Sequence, residues 1–361
     1  MNNNLVTNTT MSQGRLSYLD IAKTLGMLFI IWGHIYIGTS TTFVYAFHIP
    51  LFFFLSGMVF NKNKYPQVGP FIKRRVNTLL VPYVFYSVLT WIIWVAYTYA
   101  FHVQVDSIWK PLLETLIAQG SEGYLVHNVP LWFVTCLFVV ELLYYYISKL
   151  SDLLNILICV ILAVVSYVLV NYCSFFDFTK LPWNIEVALM ALPFYSLGNL
   201  TVKRLAHDKI MQLGKGKKGW LALFISISLF VLVYILAPTI GMASMGHAFL
   251  TKNPCLFYVY AIMGVVATLM LSVLISQTIF NEGKFMQAFR WFGRNSFDAM
   301  GIHNPIKGFL IVILAQLFGL SQAVFCRNVG YSLLAFIGTL VATSIWMLLI
   351  NKIRAIVKKS K

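Results

Sequence analysis

The sequence predicts an all-α integral membrane bundle of about ten transmembrane helices, with both termini in the cytoplasm. The chain has 361 residues, of which 59% are hydrophobic and only 11% are charged, a composition too apolar for the surface of a soluble domain. Apolar runs of about 20 residues, enough to cross a hydrocarbon core of ~30 Å, recur along almost the whole chain. Runs such as 153–170 are almost uniformly apolar, whereas the strands of a membrane barrel would alternate.

The apolar runs define a single membrane domain over residues 20–351. Its spans are expected to start near Asp20, Phe43, Val76, Pro130, Asp152, Asn184, Lys218, Pro254, Ser296 and Gly330. Residues 1–19, rich in Asn, Thr and Ser, are expected to form a disordered tail, and residues 352–361 a basic tail. The first span has ionisable residues in its interior and no small-residue cleavage site after it, so we interpret it as a retained helix and not a signal peptide.

The distribution of basic residues predicts the orientation of the chain. The formal net charge is +16, and basic residues cluster after the even-numbered spans, most densely at 62–75 and 203–218. The opposite loops contain only Lys110, Lys180, Lys252 and Arg327. The positive-inside rule therefore places both termini in the cytoplasm. Because this rule accounts for the charge, no nucleic-acid partner is expected.

Cysteine usage leaves one structural question open. Cys173, Cys255 and Cys326 fall near predicted outward ends of spans. A disulfide among them is one alternative, and unpaired small apolar residues are the other. No CxxC or HExxH spacing occurs, so no metal site is expected.

Ionisable residues inside the spans are candidate functional groups, because a charge in lipid is costly. Lys23 and His34 are 11 residues apart, so they lie within about 20° of one helix face and roughly 16 Å apart along it. The lysine would hold a phosphate, and the histidine, which titrates near neutrality, would act on a hydroxyl. The alternatives are a lysine that extends to the membrane surface and a histidine that bonds between helices. His48 is expected at a depth comparable with that of His34.

Two segments carry a family resemblance: LDIAKTLGMLFIIWGH at 19–34 and FHIPLFFFLSG at 47–57. The chain resembles the acyltransferase-three family of membrane acyltransferases. Its DIAK and FHIPLFF segments are most similar to the fucose 4-O-acetylase-like branch, which modifies sugar hydroxyls with an acyl-CoA donor. Further similarity runs through FIKRRVNTLLVPYVF, PLWFVTCLF, LPFYSLGNL and FGRNSFDAMGIHNP and covers nearly all ten spans.

The resemblance implies an O-acyltransferase of the bacterial inner membrane. It would move an acetyl or similar short acyl group from acyl-CoA to a cell-surface, exported or lipid-linked glycan, without a tightly bound cofactor. The family pattern of a basic residue, ten residues and a histidine is met by Lys23 and His34, which makes His34 the implied general base. The family often has two arginines three apart at the third span, but here Thr78 occupies the position three residues after Arg75.

The remaining candidates have a donor, catalytic or acceptor role. The CoA phosphates would be bound by Arg75 with Arg74 and Lys73, and Ser56 would bond the carrier arm, with packing as its alternative. His48 would orient His34 or donate to the oxyanion.

Three residues are assigned to the acceptor. Trp132 would stack on a sugar, with an interfacial aromatic belt as the alternative. Glu141, in mid-span, is expected to be protonated or paired with a basic group. His303 shares a helix face with Lys307, which implies a cavity, whereas Asn295, Ser296 and Asp298 are expected to cap that helix.

Other functions remain open at this stage. The donor would be acetyl-CoA or, alternatively, succinyl-CoA for an exopolysaccharide. A proton-coupled glycan exporter would also place His, Lys and Glu inside the bundle, but no internal repeat supports it. Chemistry by an acyl-histidine intermediate is an alternative to general-base catalysis. The oligomeric state and the side of the membrane on which transfer occurs are not predicted.

Overall fold

The computed structural model describes residues 11–121, 123–178, 180–248, 250, 253–277 and 283–359, and these residues form helices and connecting loops without a strand. Ten segments in this part of the chain are long and apolar enough to cross a membrane, which confirms the predicted fold class. They are Ser17–Ile35, Thr39–Val59, Val68–Ala100, Val129–Ile147, Asp152–Tyr172, Pro182–Gln212, Gly216–Ile240, Pro254–Ser276, Ser296–Leu317 and Val329–Lys358.

Several spans consist of more than one helix. The helices in chain order are α1 Met11–Ile35, α2 Thr39–Tyr45, α3 His48–Val59, α4 Val68–Arg75, α5 Val81–Ala100, α6 Lys110–Ile117, α7 Trp132–Ile147, α8 Asp152–Tyr172, α9 Phe175–Phe178, α10 Ile185–Gln212, α11 Gly216–Ile240, α12 Pro254–Ser276, α13 Lys284–Arg294, α14 Ser296–Leu317, α15 Gln322–Arg327 and α16 Val329–Lys359.

Most spans start within a few residues of their predicted positions, including the first at Ser17, but helix α1 and the third span begin earlier than predicted. Helix α1 begins at Met11 and so overlaps the predicted tail at 1–19, of which 1–10 lie outside the described residues. Hydropathy marks only the part of a helix in lipid, whereas backbone hydrogen bonds continue beyond it. The third span starts at Val68 because α4 joins α5 through a π-helical turn over Val76–Leu80.

Pro82 explains this wider turn. It follows Val81 at the start of α5 and has no N–H to donate to the carbonyl of Thr78, four residues earlier. The π-helical turn therefore occurs where the regular hydrogen-bond pattern is broken. It keeps α4 and α5 in one continuous span, on which Arg75 and Leu79 are one turn apart.

The inner part of the bundle is formed by α1, α3, α7 and α10, whose spans have mostly buried side chains, whereas those of α8 and α11 are mostly exposed. Helices α3 and α10 approach closely through two glycines. A Cβ on Gly57 would lie 2.0 Å from the carbonyl oxygen of Tyr195, and one on Gly198 would lie 2.0 Å from that of Phe54. Only glycine fits at such a crossing, which fixes the position of α3, the helix that carries His48 and Ser56.

Ion pairs join α1, α13, α14 and α16 at the Asp20 end of α1. Arg294 donates to Asp20 at 2.8 Å, and Arg354 makes two bonds to Asp298 at 2.7 and 2.8 Å. Tyr86 also donates to Asp298, at 2.8 Å. The expected cap of α14 is therefore wrong, since its N-cap Asn295 makes no side-chain capping bond and the Asp298 carboxylate is used by a distant arginine.

All five cysteines are free thiols. No disulfide joins Cys173, Cys255 and Cys326, so the alternative of unpaired residues holds for these three positions. Cys326 is buried and Cys255 is exposed.

Candidate active site

A cavity of about 490 Å³ runs through the middle of the bundle, a volume typical of small-molecule sites. It follows α1 from Lys23 to His34, a distance of roughly 16 Å at the helical rise. Beyond His34 it is lined by Trp132 and by two loops that contribute Gly120 and His247. The cavity therefore has a Lys23 end and a loop end, with His34 between them.

The structure brings five of the predicted site residues to this one cavity: Lys23, His34, His48, Ser56 and Trp132. They come from three different spans. The other four predicted residues, Arg74, Arg75, Glu141 and His303, do not line it. The shared cavity thus groups donor, catalytic and acceptor candidates but leaves out the arginines.

His48 is held in one tautomer next to His34. Its Nδ1 lies 2.8 Å from the carbonyl oxygen of Val44, which can only accept, so Nδ1 carries the proton and Nε2 is free to accept. The ring of Tyr45 lies against both histidines, with centroid distances of 4.9 Å to His48 and 6.3 Å to His34. Tyr45 therefore contacts both histidines, and both line the same cavity.

His303 lies behind His34 and not on the cavity surface. Its ring centroid is 5.7 Å from that of His34, and its side chain is fully buried. Nδ1 donates to the carbonyls of Ala299 and Met300 at 3.1 and 3.0 Å. Nε2 is buried without a hydrogen-bond partner among the described residues. The His303 ring therefore packs against His34 and is suited to positioning it.

Arg75 and Glu141, predicted to bind the donor and the acceptor, form an ion pair with each other. Arg75 Nε lies 2.7 Å from Glu141 Oε2, Tyr195 donates to the same carboxylate at 3.3 Å, and the guanidinium lies over the ring of Phe71. The expected pairing of Glu141 with a basic group is confirmed, and Arg75 is its partner. Both residues are one helical turn from cavity-lining positions, while the side chain of Arg74 is exposed.

Trp132 is enclosed by protein. It is only 7% exposed, and a Cβ at Gly120 or Gly246 would lie 2.9 Å from its ring atoms. The alternative of a lipid-facing aromatic belt is therefore wrong for this residue. The part of the ring that lines the cavity is available to a ligand.

Several cavity residues were not assigned a role from the sequence: Tyr45, Ser244, His247, Asn304 and Lys307. Ser244 bonds the ring of His247 at 2.7 Å. The signal for Lys307 was present, since it is an ionisable residue inside a span that shares a helix face with His303. No local pattern indicated that the loop containing His247 would fold over the cavity.

The described residues that line the cavity include two lysines and three histidines but no carboxylate. The carboxylates near it are engaged elsewhere, since Asp20 binds Arg294 and Glu141 binds Arg75. In a site of low dielectric constant, this arrangement favours an anionic ligand.

Comparisons with known proteins address the family directly. Neither a search of the curated proteins nor a search of the solved structures finds a match. A family model described as an acyltransferase domain matches residues 16–351, a range that contains the first nine spans and most of the tenth. The chain is therefore a multi-pass membrane protein that belongs to this acyltransferase family.

Proposed function

We propose that this acyltransferase moves an acetyl group from acetyl-CoA to a hydroxyl of a cell-surface or exported carbohydrate, with His34 as the general base. The observation that carries the proposal is the position of His34 on the wall of a cavity that continues to both sides of it. One side leads to Lys23 and the other to Trp132 and the loops. Two substrates can therefore approach the same imidazole from opposite directions.

The chemistry requires one proton acceptor and one anion-stabilising environment. A ring nitrogen of His34 removes the proton of the acceptor hydroxyl while its oxygen attacks the thioester carbonyl carbon. The new C–O bond gives a tetrahedral oxyanion, which the positive groups around the cavity stabilise. The C–S bond then breaks, and the CoA thiolate takes the proton from the histidinium. An acyl-histidine route remains an alternative for the same residue.

The cavity supports an in-membrane route for the donor. The CoA phosphates would bind at the Lys23 end, and the acyl arm would extend past Ser56 along α1 to His34, roughly 16 Å away. If the Lys23 end is cytoplasmic, as the charge distribution predicts, the sugar enters from the loop end, where Trp132 offers an aromatic face. Arg74 and Arg75 contribute to this donor site only if the Arg75–Glu141 pair rearranges. The similarity to the fucose 4-O-acetylase-like branch favours a sugar acceptor.

The first experiment uses inverted membrane vesicles, radiolabelled acetyl-CoA and the host's own glycans. Label in a base-labile glycan ester is compared for the wild type, His34→Ala and His102→Ala. His102 is exposed in a loop, so its variant controls for loss of a histidine elsewhere. We expect label with the wild type and His102→Ala, and a loss of at least 10²-fold with His34→Ala, the usual contribution of a general base.

Two outcomes would contradict the proposal. Equal labelling by all three proteins at matched expression would remove His34 from the chemistry. No label from the wild type, with acetyl-CoA intact, would exclude acetyl transfer to these glycans and would return attention to succinyl-CoA and to the exporter.

A further inference from the structure

The two cavity lysines lie on opposite sides of His34. Helices α1 and α14 run in the same direction. The backbone of Gly293, three residues before α14 begins, contacts that of Asp20, and the ring of His303, further along α14, contacts that of His34, further along α1. Lys307 is one turn beyond His303, about 6 Å further from Lys23. It lines the cavity and is close enough to His34 to interact with it electrostatically. Lys307 therefore belongs to the loop end of the cavity.

Unlike Arg75, Arg294 and Arg354, Lys307 has no counter-ion among the described residues. Arg75, Arg294 and Arg354 each bind a carboxylate within 2.8 Å. No hydrogen bond or ion pair joins Lys307 to any residue in the described part of the chain, and no carboxylate lines the cavity there. A lysine charge at this depth is costly unless it is paired or hydrated. The unpaired lysine therefore lies close to His34, the residue proposed to carry out the chemistry.

We propose that Lys307 binds a carboxylate of one of the two substrates while the reacting hydroxyl is at His34. The CoA phosphates do not account for this lysine, because the proposed donor route places them at Lys23, on the other side of His34. An anion bound by Lys307 lies near the reacting atoms, because Lys307 and His34 line the same cavity and interact electrostatically. The inference rests on the proposed function for its account of which atoms react, but the binding site itself does not depend on it.

Two sources place a carboxylate at this distance. In one, the acceptor is an acidic sugar, and its carboxylate is on the ring that carries the reacting hydroxyl. In the other, the donor is a dicarboxylic acyl-CoA such as succinyl-CoA, and its distal carboxylate extends past His34. The recognition chemistry is the same in both cases: an ammonium group donates charge-assisted hydrogen bonds to a carboxylate.

The kinetic test separates the two sources. The wild type, Lys307→Met, Lys307→Arg and Lys110→Met are assayed with acetyl-CoA and succinyl-CoA, each with native host glycan and with the same glycan after chemical reduction of its carboxyl groups. Lys110 is exposed at the start of α6, outside the spans, so Lys110→Met controls for the substitution itself. An acidic acceptor is indicated if carboxyl reduction lowers wild-type kcat/KM by about tenfold, the effect of one charge-assisted bond. A dicarboxylic donor is indicated if the wild type prefers succinyl-CoA by a similar factor.

The variants decide whether Lys307 carries the preference. Lys307→Met is expected to abolish the difference between the preferred substrate and its counterpart, while Lys307→Arg and Lys110→Met retain it. If Lys307→Met lowers transfer equally with every substrate pair, the lysine acts on the reaction centre or on folding, and the inference is wrong. It is also wrong if the wild type distinguishes neither pair.

A binding measurement keeps the test independent of catalysis. The thermal midpoint of the purified protein is measured with glucuronate and succinate, and with glucose and succinamide as neutral counterparts. We expect at least one of the two acids to stabilise the wild type and Lys110→Met but not Lys307→Met. If this stabilisation is seen but the wild-type protein transfers no acyl group, the proposed function is contradicted and the carboxylate site is retained. If neither acid stabilises the wild type, the carboxylate site is wrong.

Discussion

At the residue scale, a substitution of Lys23 tests whether the donor binds at this end of the cavity. Its amino group lies near Asp20, whose carboxylate binds Arg294, so the lysine is available to a phosphate. We expect Lys23→Met to raise KM for acyl-CoA by about 10–100-fold and to change kcat little, because a binding contact far from the reacting atoms is lost. Steady-state kinetics with Lys110→Met as control check this. A large fall in kcat with KM unchanged would place Lys23 in the chemistry instead.

His127 makes stability depend on pH. It lies in the loop before α7, outside the spans, and is 3% exposed, with neither ring nitrogen bonded among the described residues. Burial lowers its pKa from 6.5 to about 4. Between these values the unfolded chain binds a proton that the folded protein does not, so stability falls as the pH falls from 6.5 towards 4, by as much as about 3 kcal/mol.

We therefore expect His127→Leu to flatten the dependence of the thermal midpoint on pH between pH 4.5 and 6.5. Above pH 6.5 the ring is neutral in both states and makes no pH-dependent contribution. His102→Leu, which removes an exposed histidine from a neighbouring loop segment, should keep the wild-type slope. An unchanged slope in His127→Leu would show that other groups cause the acid sensitivity.

At the element scale, a proline in α14 explains how the loop before α7 is attached. Pro305 has no N–H, so the carbonyl of Gly301, four residues earlier, loses its helical partner. The side chain of Asn128 donates to this carbonyl at 2.7 Å and is fully buried. The bond joins this loop to the stretch of α14 that carries His303 and Lys307.

A double-mutant cycle tests this attachment. Asn128→Leu should lower the free energy of unfolding by about 1–3 kcal/mol, because it leaves a buried carbonyl unsatisfied. In the Pro305→Ala background the helix supplies its own N–H to Gly301, so the same change should cost clearly less. Thermal unfolding of the four purified proteins in one detergent gives the coupling. Equal costs in both backgrounds would mean that Asn128 acts through packing alone.

At the scale of the whole molecule, the charge distribution predicts which side each loop faces. The end of α11 that carries Lys217 should be cytoplasmic, and the loop that carries Asp106 should be external. In a Cys255→Ser background, Asp106→Cys should react with a membrane-impermeant maleimide on intact cells, and Lys217→Cys only after permeabilisation. Both positions are exposed. The reverse pattern would invert the chain and place the Lys23 end of the cavity outside.

Local sequence patterns predicted features within single helices and missed features that depend on contacts between distant segments. The predicted third span began late because hydropathy does not register α4, which is basic and amphipathic, and the predicted cap at Asp298 failed because its partner, Arg354, is 56 residues away. The alignment of Lys23 and His34 on one face of α1 needed only the helical period, and the cavity contains both residues. Trp132 is enclosed by two loops, those of Gly120 and Gly246. Sequence periodicity does not predict that these loops lie next to each other.

The sequence by itself determined the helical state, the number of spans and the family resemblance. These follow from the length of apolar runs, since a backbone in lipid must satisfy its hydrogen bonds within each segment, and from motifs contained in single helices. Only the tertiary structure decided that Arg75 is bound by Glu141, that His303 lies against His34, and that Lys307 faces the cavity with no counter-ion in the described part of the chain. Such contacts join residues far apart in the chain, and they arise from the packing of whole helices, which local periodicity does not specify.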